Sequence, residues 1–142
     1  MTSEIIYKGS LRTAAKHLQS ETTIETDAPV DNQGKGERFS PTDLLATSLG
    51  SCMLTIMGIK ARDMEIDLAG TEVSIKKIMK AEPRRVGGID VSFKFPLQLN
   101  LTEKEKKILE NAALTCPVAK SIHPDIEMNV EFGWPVAAMA IH

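Results

Sequence analysis

The feature that most constrains the fold is a long uncharged run near the middle of the chain. No charged residue occurs from Leu44 to Ile59, a stretch of sixteen residues. The run follows Ser40-Pro41-Thr42-Asp43, in which a Ser N-cap, a Pro at the first helical position and an acid three residues after the cap predict the start of a helix. We expect this helix to run to about Arg62, or ~33 Å at 1.5 Å per residue.

The apolar side chains of this predicted helix are spread around its whole circumference. They are Leu44, Leu45, Leu49, Met53, Leu54, Ile56, Met57 and Ile59. A helix of that kind is surrounded by protein, and the small residues at Ala46, Ser48, Gly50 and Ser51 would let a neighbouring element approach closely. The 142 residues suit one domain, residues 1–142, in which so long a helix is hard to bury, so we infer a homodimer. The run falls short of the ~20 residues of a membrane span.

The segments on either side of the helix have the β-branched residues and partial alternation of strands. The predicted strands are Glu4–Leu11, Arg12–Leu18, Thr22–Thr26, Thr71–Lys80, Gly88–Leu99 and Ile126–Trp134. The fourth and fifth of these form a candidate hairpin around the turn-rich residues 82–87. A second capping box, Thr102 with Glu105, opens an amphipathic helix, and a short helical stretch runs from Pro117 to about Ile122. Blocks of strands separated by one long helix and a helical pair predict an α+β fold rather than a wound parallel sheet.

The charge pattern argues against a polyanionic partner. The formal net charge is -2 and the basic residues are scattered, so no nucleic-acid surface is predicted. The N-terminus has no basic segment followed by an apolar one, so we expect no secretory signal and a cytoplasmic protein. In that reducing compartment, two cysteines are more often catalytic, metal-binding or simply buried than a structural disulfide.

The two cysteines occupy different local settings. Cys52 lies inside the predicted helix, 64 residues before Cys116, a spacing that fits neither a CxxC pair nor a zinc site. A Cys in an apolar helix is most often a small buried hydrophobe. Cys116 precedes Pro117 and is the predicted N-cap of a short helix, where the dipole favours a thiolate. These residues leave reactive and structural roles open for both. The histidines show no metal-site spacing, and no metal or cofactor is predicted.

Two motifs, taken together, resemble those of a known family. The run Ser40–Met53 (SPTDLLATSLGSCM) and the later TCPV at Thr115–Val118 resemble the two cysteine motifs of the OsmC/Ohr family of thiol-dependent peroxidases, in the right order. The resemblance covers essentially the whole chain and the pair of motifs is specific. It implies an OsmC-like fold, in which a long buried central helix is wrapped by antiparallel sheet in an intertwined homodimer.

The same resemblance implies a chemistry for the two thiols. Cys52 would attack an organic hydroperoxide or hydrogen peroxide and become a sulfenic acid. Cys116 would condense with it to a disulfide, and an external dithiol, often a lipoyl-type group in this family, would restore both thiols. In the family the attacking cysteine is activated by an arginine, which a glutamate near the start of the long helix holds in place.

The sequence departs from the family at that glutamate. Aligned on Pro41 and Cys52, its position holds Thr42, which cannot pair with an arginine by charge. Asp43 is nine residues before Cys52, about two and a half helical turns, and faces the other way. The carboxylate must therefore come from a loop, the sheet or the partner chain, with Glu37 as one candidate. Arg38 and Arg12 are both candidates for the arginine, and we expect one of them to reach Cys52.

Thr42 also favours a second hypothesis from a different functional class. In it the protein is a non-catalytic dimer of the same fold that binds a ligand or senses redox state, with the cysteines kept for packing or slow oxidation. A third, a Cys/His metal protein, predicts metal retained on purification. The sequence indicates neither the preferred peroxide nor the physiological reductant.

Overall fold

The computed structural model describes residues 1–136, and the chain divides into two compact units, Met1–Leu45 and Ala46–His142. The elements in chain order are β1 (Ser3–Gly9), β2 (Arg12–His17), β3 (Thr23–Asp27), α1 (Pro41–Asp63), β4 (Glu72–Lys80), β5 (Arg85–Lys94), α2 (Glu103–Leu114), α3 (Pro117–Ser121) and β6 (Glu127–Gly133). The predicted α+β class is confirmed. That the two units form one domain stays a prediction.

The first unit contains an antiparallel sheet in the order β1-β2-β3. The first strand ends at Gly9, two residues earlier than the predicted end at Leu11. Ser10 and Leu11 form the turn to β2, with φ of 55° and 63°. Two consecutive left-handed residues are typical of the two-residue turns whose twist matches a hairpin. Neither residue is Gly or Asn, so the sequence carried no sign of this turn.

The loop from β3 to α1 folds back on itself. The amide of Asp27 donates to the carbonyl of Phe39 at 3.1 Å, and the amide of Gly36 donates to the carbonyl of Ala28 at 3.2 Å. A Cβ on Gly34 would lie 1.7 Å from the Ala28 carbonyl oxygen, so only glycine fits there. These contacts hold the residues just before α1 beside the end of β3.

The start of α1 is the capping box that the sequence predicts. The Asp43 amide donates to Ser40 Oγ and the Ser40 amide donates to Asp43 Oδ2, both at 3.0 Å. Two of the helix's unsatisfied amides thus find acceptors within four residues. The helix ends at Asp63, one residue beyond the predicted end, with Lys60 and Arg62 favourably placed in its last turn.

One side of α1 is buried in the core of the second unit. Leu49, Met53 and Met57 are fully buried. Gly50 lies against β4, because a Cβ there would be 2.6 Å from Ile75 Cδ1, which confirms that the small residues allow close approach. Ile59 is 52% exposed, so the predicted all-round burial is met on one side only within this chain. By length and hydropathy α1 could cross a membrane, but the core helix of a soluble protein passes the same test.

The second unit contains a three-stranded sheet in the order β4-β5-β6. β4 and β5 form the predicted antiparallel hairpin, and β5 begins at Arg85, inside the segment expected as a turn. β6 pairs with β5 in parallel, from Gly88↔Glu127 to Lys94↔Gly133. The prediction of an antiparallel sheet is wrong for this pair. α2 and α3 form a crossover connection between the strands, which returns the chain in the same direction.

The helical pair is fixed to this sheet at both ends. Thr102 and Glu105 form the predicted capping box of α2, and Leu109 and Ala113 are fully buried in the core. Beyond β6, the indole of Trp134 stacks on Phe95 with ring centroids 3.7 Å apart. Its Nε1 donates to Glu110 Oε2 of α2 at 2.7 Å. The stacking and the hydrogen bond of Trp134 therefore fix the position of α2 relative to the sheet.

Candidate active site

The structure brings the two cysteines into contact. Cys52 is half-buried on α1, and Cys116 is fully buried between α2 and α3. Both are free thiols, and Cys52 is close enough to Cys116 to raise the pKa of its thiol. Two thiols 64 residues apart in sequence thus meet within the second unit. A disulfide between them would bring the two sulfurs to about 2.05 Å.

Cys116 takes the position that the sequence predicts for it. It is the N-cap of α3, with Pro117 at the first helical position. Its Sγ accepts a hydrogen bond from the Ala119 amide at 3.4 Å. The proline fits because it lacks the amide that would go unpaired at that point of a helix. This cap can be predicted from sequence, because the residues that form it lie within four positions of one another.

The acidity of Cys116 is opposite to the expectation from the helix dipole. Burial raises the pKa of the Cys116 thiol above its ordinary value, the Ala119 amide partly opposes this, and Cys52 raises it further. Loss of water outweighs the dipole here, since desolvation disfavours the charged form. The expectation that the helix dipole favours a thiolate at Cys116 is therefore wrong. Cys116 is a neutral thiol at neutral pH, and Cys52 is the more accessible of the two.

The first unit contains an ion-paired arginine at the start of β2. Arg12 is directly opposite Asp27 in the β2–β3 ladder. Its Nε donates to Asp27 Oδ1 at 2.7 Å and its Nη2 to Asp27 Oδ2 at 2.8 Å. Such bidentate pairs are the strongest and most directional of ion pairs. The Asp27 side chain is 1% exposed and that of Arg12 20%, so the pair is shielded from water.

Glu37 completes the set of groups around this guanidinium. Its Oε1 accepts from Arg12 Nη2 at 2.9 Å, and its own amide donates to Asp27 Oδ2 at 3.1 Å. The hydrogen bond from Arg12 is the main reason that the pKa of Asp27 falls to about 2. The same contacts raise the pKa of Arg12 above its already high value. The guanidinium is charged at every pH at which the protein is folded.

The other predicted groups are engaged elsewhere. Arg38 Nε donates to Glu25 Oε1 at 2.9 Å, and its Nη1 donates to the Glu37 carbonyl at 3.1 Å. Its side chain is 44% exposed, more than twice the value for Arg12. Asp43 Oδ2 serves the helix cap. Glu37, a candidate carboxylate from sequence, does hold an arginine. Contact of Arg12 or Arg38 with Cys52 stays a prediction.

Asp27 is the residue that sequence reasoning missed. It ends the run TTIETD, where an acid after an alternating strand is ordinarily a loop residue in water. Its burial depends on the register of β2 with β3, which places it opposite Arg12. A buried carboxylate opposite an arginine on a neighbouring strand is a pattern that sequence could suggest only once that register is known. No group of three or more potential metal ligands occurs within residues 1–136.

Comparison with known proteins gives a consistent result. The model of the OsmC-like protein family matches residues 34–131. A protein of Psychrobacter arcticus 273-4, whose name refers to osmotic stress induction and a detoxification response, is 63% identical, with a TM-score of 0.89 over 93% of this chain and 95% of that one. A search of curated proteins finds no significant match.

More distant solved structures share the fold. An organic hydroperoxide resistance protein of Legionella pneumophila is 16% identical, with a TM-score of 0.72 over 94% of this chain and 97% of that one. An OsmC-like protein of Mycoplasma pneumoniae is 15% identical, with a TM-score of 0.75 over 94% and 96%. The family match spans more than half of the chain and includes both cysteines. This chain belongs to the OsmC-like protein family.

Proposed function

We propose that this protein is a cytoplasmic thiol peroxidase that reduces organic hydroperoxides or hydrogen peroxide. The observation that carries the proposal is that the Cys52 thiol lies close to the buried thiol of Cys116, in the same core. The family as a whole is generally associated with peroxidase activity, and the Legionella relative of the same fold is an organic hydroperoxide resistance protein. Two free thiols that lie close together can form a disulfide with the loss of two electrons, which is what such a redox cycle requires.

The first step of the cycle is peroxide reduction at Cys52. The thiolate sulfur attacks one peroxide oxygen, the O–O bond breaks, and the other oxygen leaves with a proton as alcohol or water. Sulfur loses two electrons and becomes a sulfenic acid. Cys52 suits this step because it is half-buried and can be reached by substrate, while Cys116 has no exposed surface.

The second step joins the two cysteines. The sulfur of Cys116 attacks the sulfenic sulfur of Cys52, a disulfide forms, and the sulfenic oxygen leaves as water with the Cys116 proton. Cys116 gives up its proton as its sulfur attacks, and its raised pKa keeps it from competing with Cys52 for the peroxide. An external dithiol then reduces the disulfide to two thiols and itself becomes a disulfide. A lipoyl-type dithiol is the expected reductant.

Arg12 is the better candidate for activating Cys52. Family resemblance assigns an arginine to that role, and the sequence leaves Arg12 and Arg38 open. An activating cation must be fixed in place to lower the barrier, because its value lies in preorganisation. Arg12 is held by two carboxylates and is largely shielded. Arg38 is an exposed group with one carboxylate partner among residues 1–136.

We further propose that the working form is a homodimer, as proteins of this family typically are. Ile5, Tyr7 and Ile24 lie on one face of the β1-β2-β3 sheet and are 66%, 63% and 48% exposed. On α1, Leu45 and Ile59 are also exposed. Exposed apolar side chains in such numbers are typical of surfaces that a second subunit covers. Sedimentation should give twice the mass of one chain, and a monomer at micromolar concentration would contradict this assembly.

The peroxidase proposal is tested by counting thiols. The reduced protein is treated with one equivalent of tert-butyl hydroperoxide or hydrogen peroxide, and free thiols are titrated. We expect the loss of two thiols per chain, restored by dihydrolipoate. Cys116→Ser should lose a single thiol and accumulate a sulfenic acid that a dimedone-type reagent traps. Cys52→Ser should consume no peroxide.

The same experiment separates this function from the non-catalytic alternative. Oxidation of both thiols over hours, without turnover in the presence of dihydrolipoate or glutathione, would support a redox sensor. Peroxide consumption by Cys52→Ser at the wild-type rate would reject the proposed mechanism. Thr42 was the feature in favour of the alternative. Thr42 supports that alternative less strongly in the structure, because Asp27 and Glu37 hold an arginine without a glutamate at position 42.

A further inference from the structure

We propose that Cys116 restricts this protein to dithiol reductants, because it expels any monothiol that has opened the disulfide. The inference rests on the proposed function and concerns its last step, the reduction of the bond between Cys52 and Cys116. Both cysteines belong to the second unit, Ala46–His142, so every protein group involved lies in that unit. Cys116 would then determine specificity for the reductant as well as resolve the sulfenic acid.

Burial decides which sulfur a reductant attacks. Cys116 has no exposed surface and lies in the same core as Leu109 and Ala113, which are also fully buried. Cys52 is partly exposed on α1. Because exchange depends on access to the sulfur that is attacked, the reductant thiolate bonds to Cys52 Sγ. The bond between the two cysteines breaks, and Cys116 leaves as a thiolate that takes up a proton.

Cys116 stays beside the mixed disulfide after it has left. Its amide donates to the Ala113 carbonyl at 3.3 Å, and its carbonyl accepts from the Lys120 amide at 3.1 Å. Its Sγ accepts from the Ala119 amide at 3.4 Å. Cys52 lies in the interior of a 23-residue helix. Both backbones are held by hydrogen bonds, so the released sulfur remains close to Cys52.

The mixed disulfide on Cys52 can then react in two ways. Cys116 can attack Cys52 and expel the reductant, which restores the original disulfide. Alternatively, a second reductant thiol can attack the sulfur of the bound reductant and release Cys52. Glutathione must supply that second thiol from solution, whereas well-oriented groups held in one molecule can reach effective concentrations of about 10⁵ M. Cys116 therefore reacts first, and glutathione is expelled.

The protonation state of Cys116 opposes this expulsion but does not prevent it. Burial raises the pKa of the Cys116 thiol, which lowers the fraction present as thiolate. A more basic thiolate is also a better nucleophile, so that each pKa unit slows its attack only about threefold. An advantage of several powers of ten in effective concentration exceeds that loss.

A dithiol avoids expulsion because its second thiol is tethered to the first. In dihydrolipoate the second sulfur attacks the first, a ring disulfide forms, and Cys52 leaves as a thiolate. The dithiol loses two electrons and two protons, and both cysteines become thiols again. Tethering turns this second attack into an intramolecular reaction, so it competes with attack by Cys116.

The first test needs no peroxide. Reduced wild type, Cys116→Ser and Cys116→Ala are mixed with oxidised glutathione, and their intact masses are recorded. In wild type we expect Cys116 to expel the glutathione that Cys52 takes up, which leaves an internal disulfide and no added mass of glutathione. Both variants should retain one glutathione on Cys52. Serine keeps an acceptor for the Ala119 amide and alanine avoids burying a hydroxyl group, and circular dichroism verifies each fold.

The second test measures the choice of reductant during turnover of tert-butyl hydroperoxide. At equal thiol concentration, dihydrolipoate should support wild-type turnover at least about 100-fold faster than glutathione, and the glutathione rate should rise at least about 10-fold in both variants. Dihydrolipoate with a methyl group on one sulfur is the matched control, because it has the same carbon chain and a single thiol. Wild type should use it as poorly as glutathione.

Three results would overturn the inference while leaving the peroxidase function in place. One is a wild-type protein that accumulates the glutathione adduct of Cys52. Another is an unchanged glutathione rate in both folded variants. The third is wild-type turnover with the methylated reductant at the dihydrolipoate rate, which would assign the selectivity to recognition of the carbon chain. If wild type consumes no peroxide with any reductant, the proposed function fails, and the masses after treatment with oxidised glutathione still decide the inference.

Discussion

Gly50 and Gly58 lie on the same helix, two turns apart, and should respond oppositely to the same substitution. A methyl group at Gly50 would be 2.6 Å from Ile75 Cδ1 and 3.2 Å from Val73 Cγ1. The Ile75 methyl can rotate away, but Val73 is stiff at χ1, so α1 or β4 must shift. Overpacking of this kind costs about 1–3 kcal/mol. A methyl at Gly58 meets nothing within 4 Å.

Both substitutions also change helix propensity by the same amount. Alanine is about 0.8–1.0 kcal/mol more favourable than glycine inside a helix. Gly58→Ala should therefore stabilise the protein by about 1 kcal/mol, whereas Gly50→Ala should range from neutral to a loss of about 2 kcal/mol. The two variants should differ by about 1–3 kcal/mol. At about 2–4 °C per kcal/mol for a chain of this size, several degrees should separate their melting temperatures.

Urea unfolding of the reduced proteins measures this difference. The chain has one tryptophan, and Trp134 stacks on Phe95 of the second unit, so its fluorescence follows the unfolding of that core. A change in midpoint at constant m reports stability alone. Equal stabilisation by both variants would refute the close packing of α1 on β4. Destabilisation by Gly58→Ala would show that the space beside it is filled in the assembled protein, and the reasoning from a single chain would fail there.

Two further outcomes are expected. The pKa of Asp27 is about 2 in the folded protein, against an ordinary 3.8, so its ion pair stabilises the fold above about pH 4, and this contribution disappears as pH falls through about 2. The melting temperatures of wild type and Asp27→Asn should therefore converge from pH 4 to pH 2, and a constant difference would contradict the assigned cause. Trp134→Phe keeps the stacking but loses the hydrogen bond to Glu110, which should cost about 1.5–3 kcal/mol in urea unfolding followed by circular dichroism. Unchanged stability would mean that a water molecule replaces the indole N–H as the donor to Glu110.

The features that could be predicted from sequence are those whose parts lie close together along the chain. The capping boxes at Ser40 and Thr102 and the N-cap at Cys116 each fit within four residues. Their partners follow from helix geometry alone. The long helix, the hairpin and the last strand were likewise predicted to within a few residues. The proposed pairing of Cys52 with Cys116 comes from the family resemblance, since no local pattern indicates it.

The features that could not be predicted depend on how distant segments meet. The turn at Ser10 and Leu11 sets the register of β2, and that register places Asp27 opposite Arg12. The direction of β6 depends on where the helical crossover returns the chain. The acidity of Cys116 depends on burial by groups far along the sequence. Each is a tertiary property, so residue type and spacing leave it undetermined.

The contact between the cysteines has a consequence for the energetics of each proposed turnover. A bond between Cys52 and Cys116 would close a loop of 64 residues, which encloses the β4–β5 hairpin and all of α2. Restricting the unfolded chain by a loop of that length stabilises the folded state by about 4 kcal/mol in the chain-entropy description. The oxidised protein should therefore resist heat and proteases better than the reduced one. In each proposed turnover, the stability of the folded state would rise when the disulfide forms and fall when it is reduced.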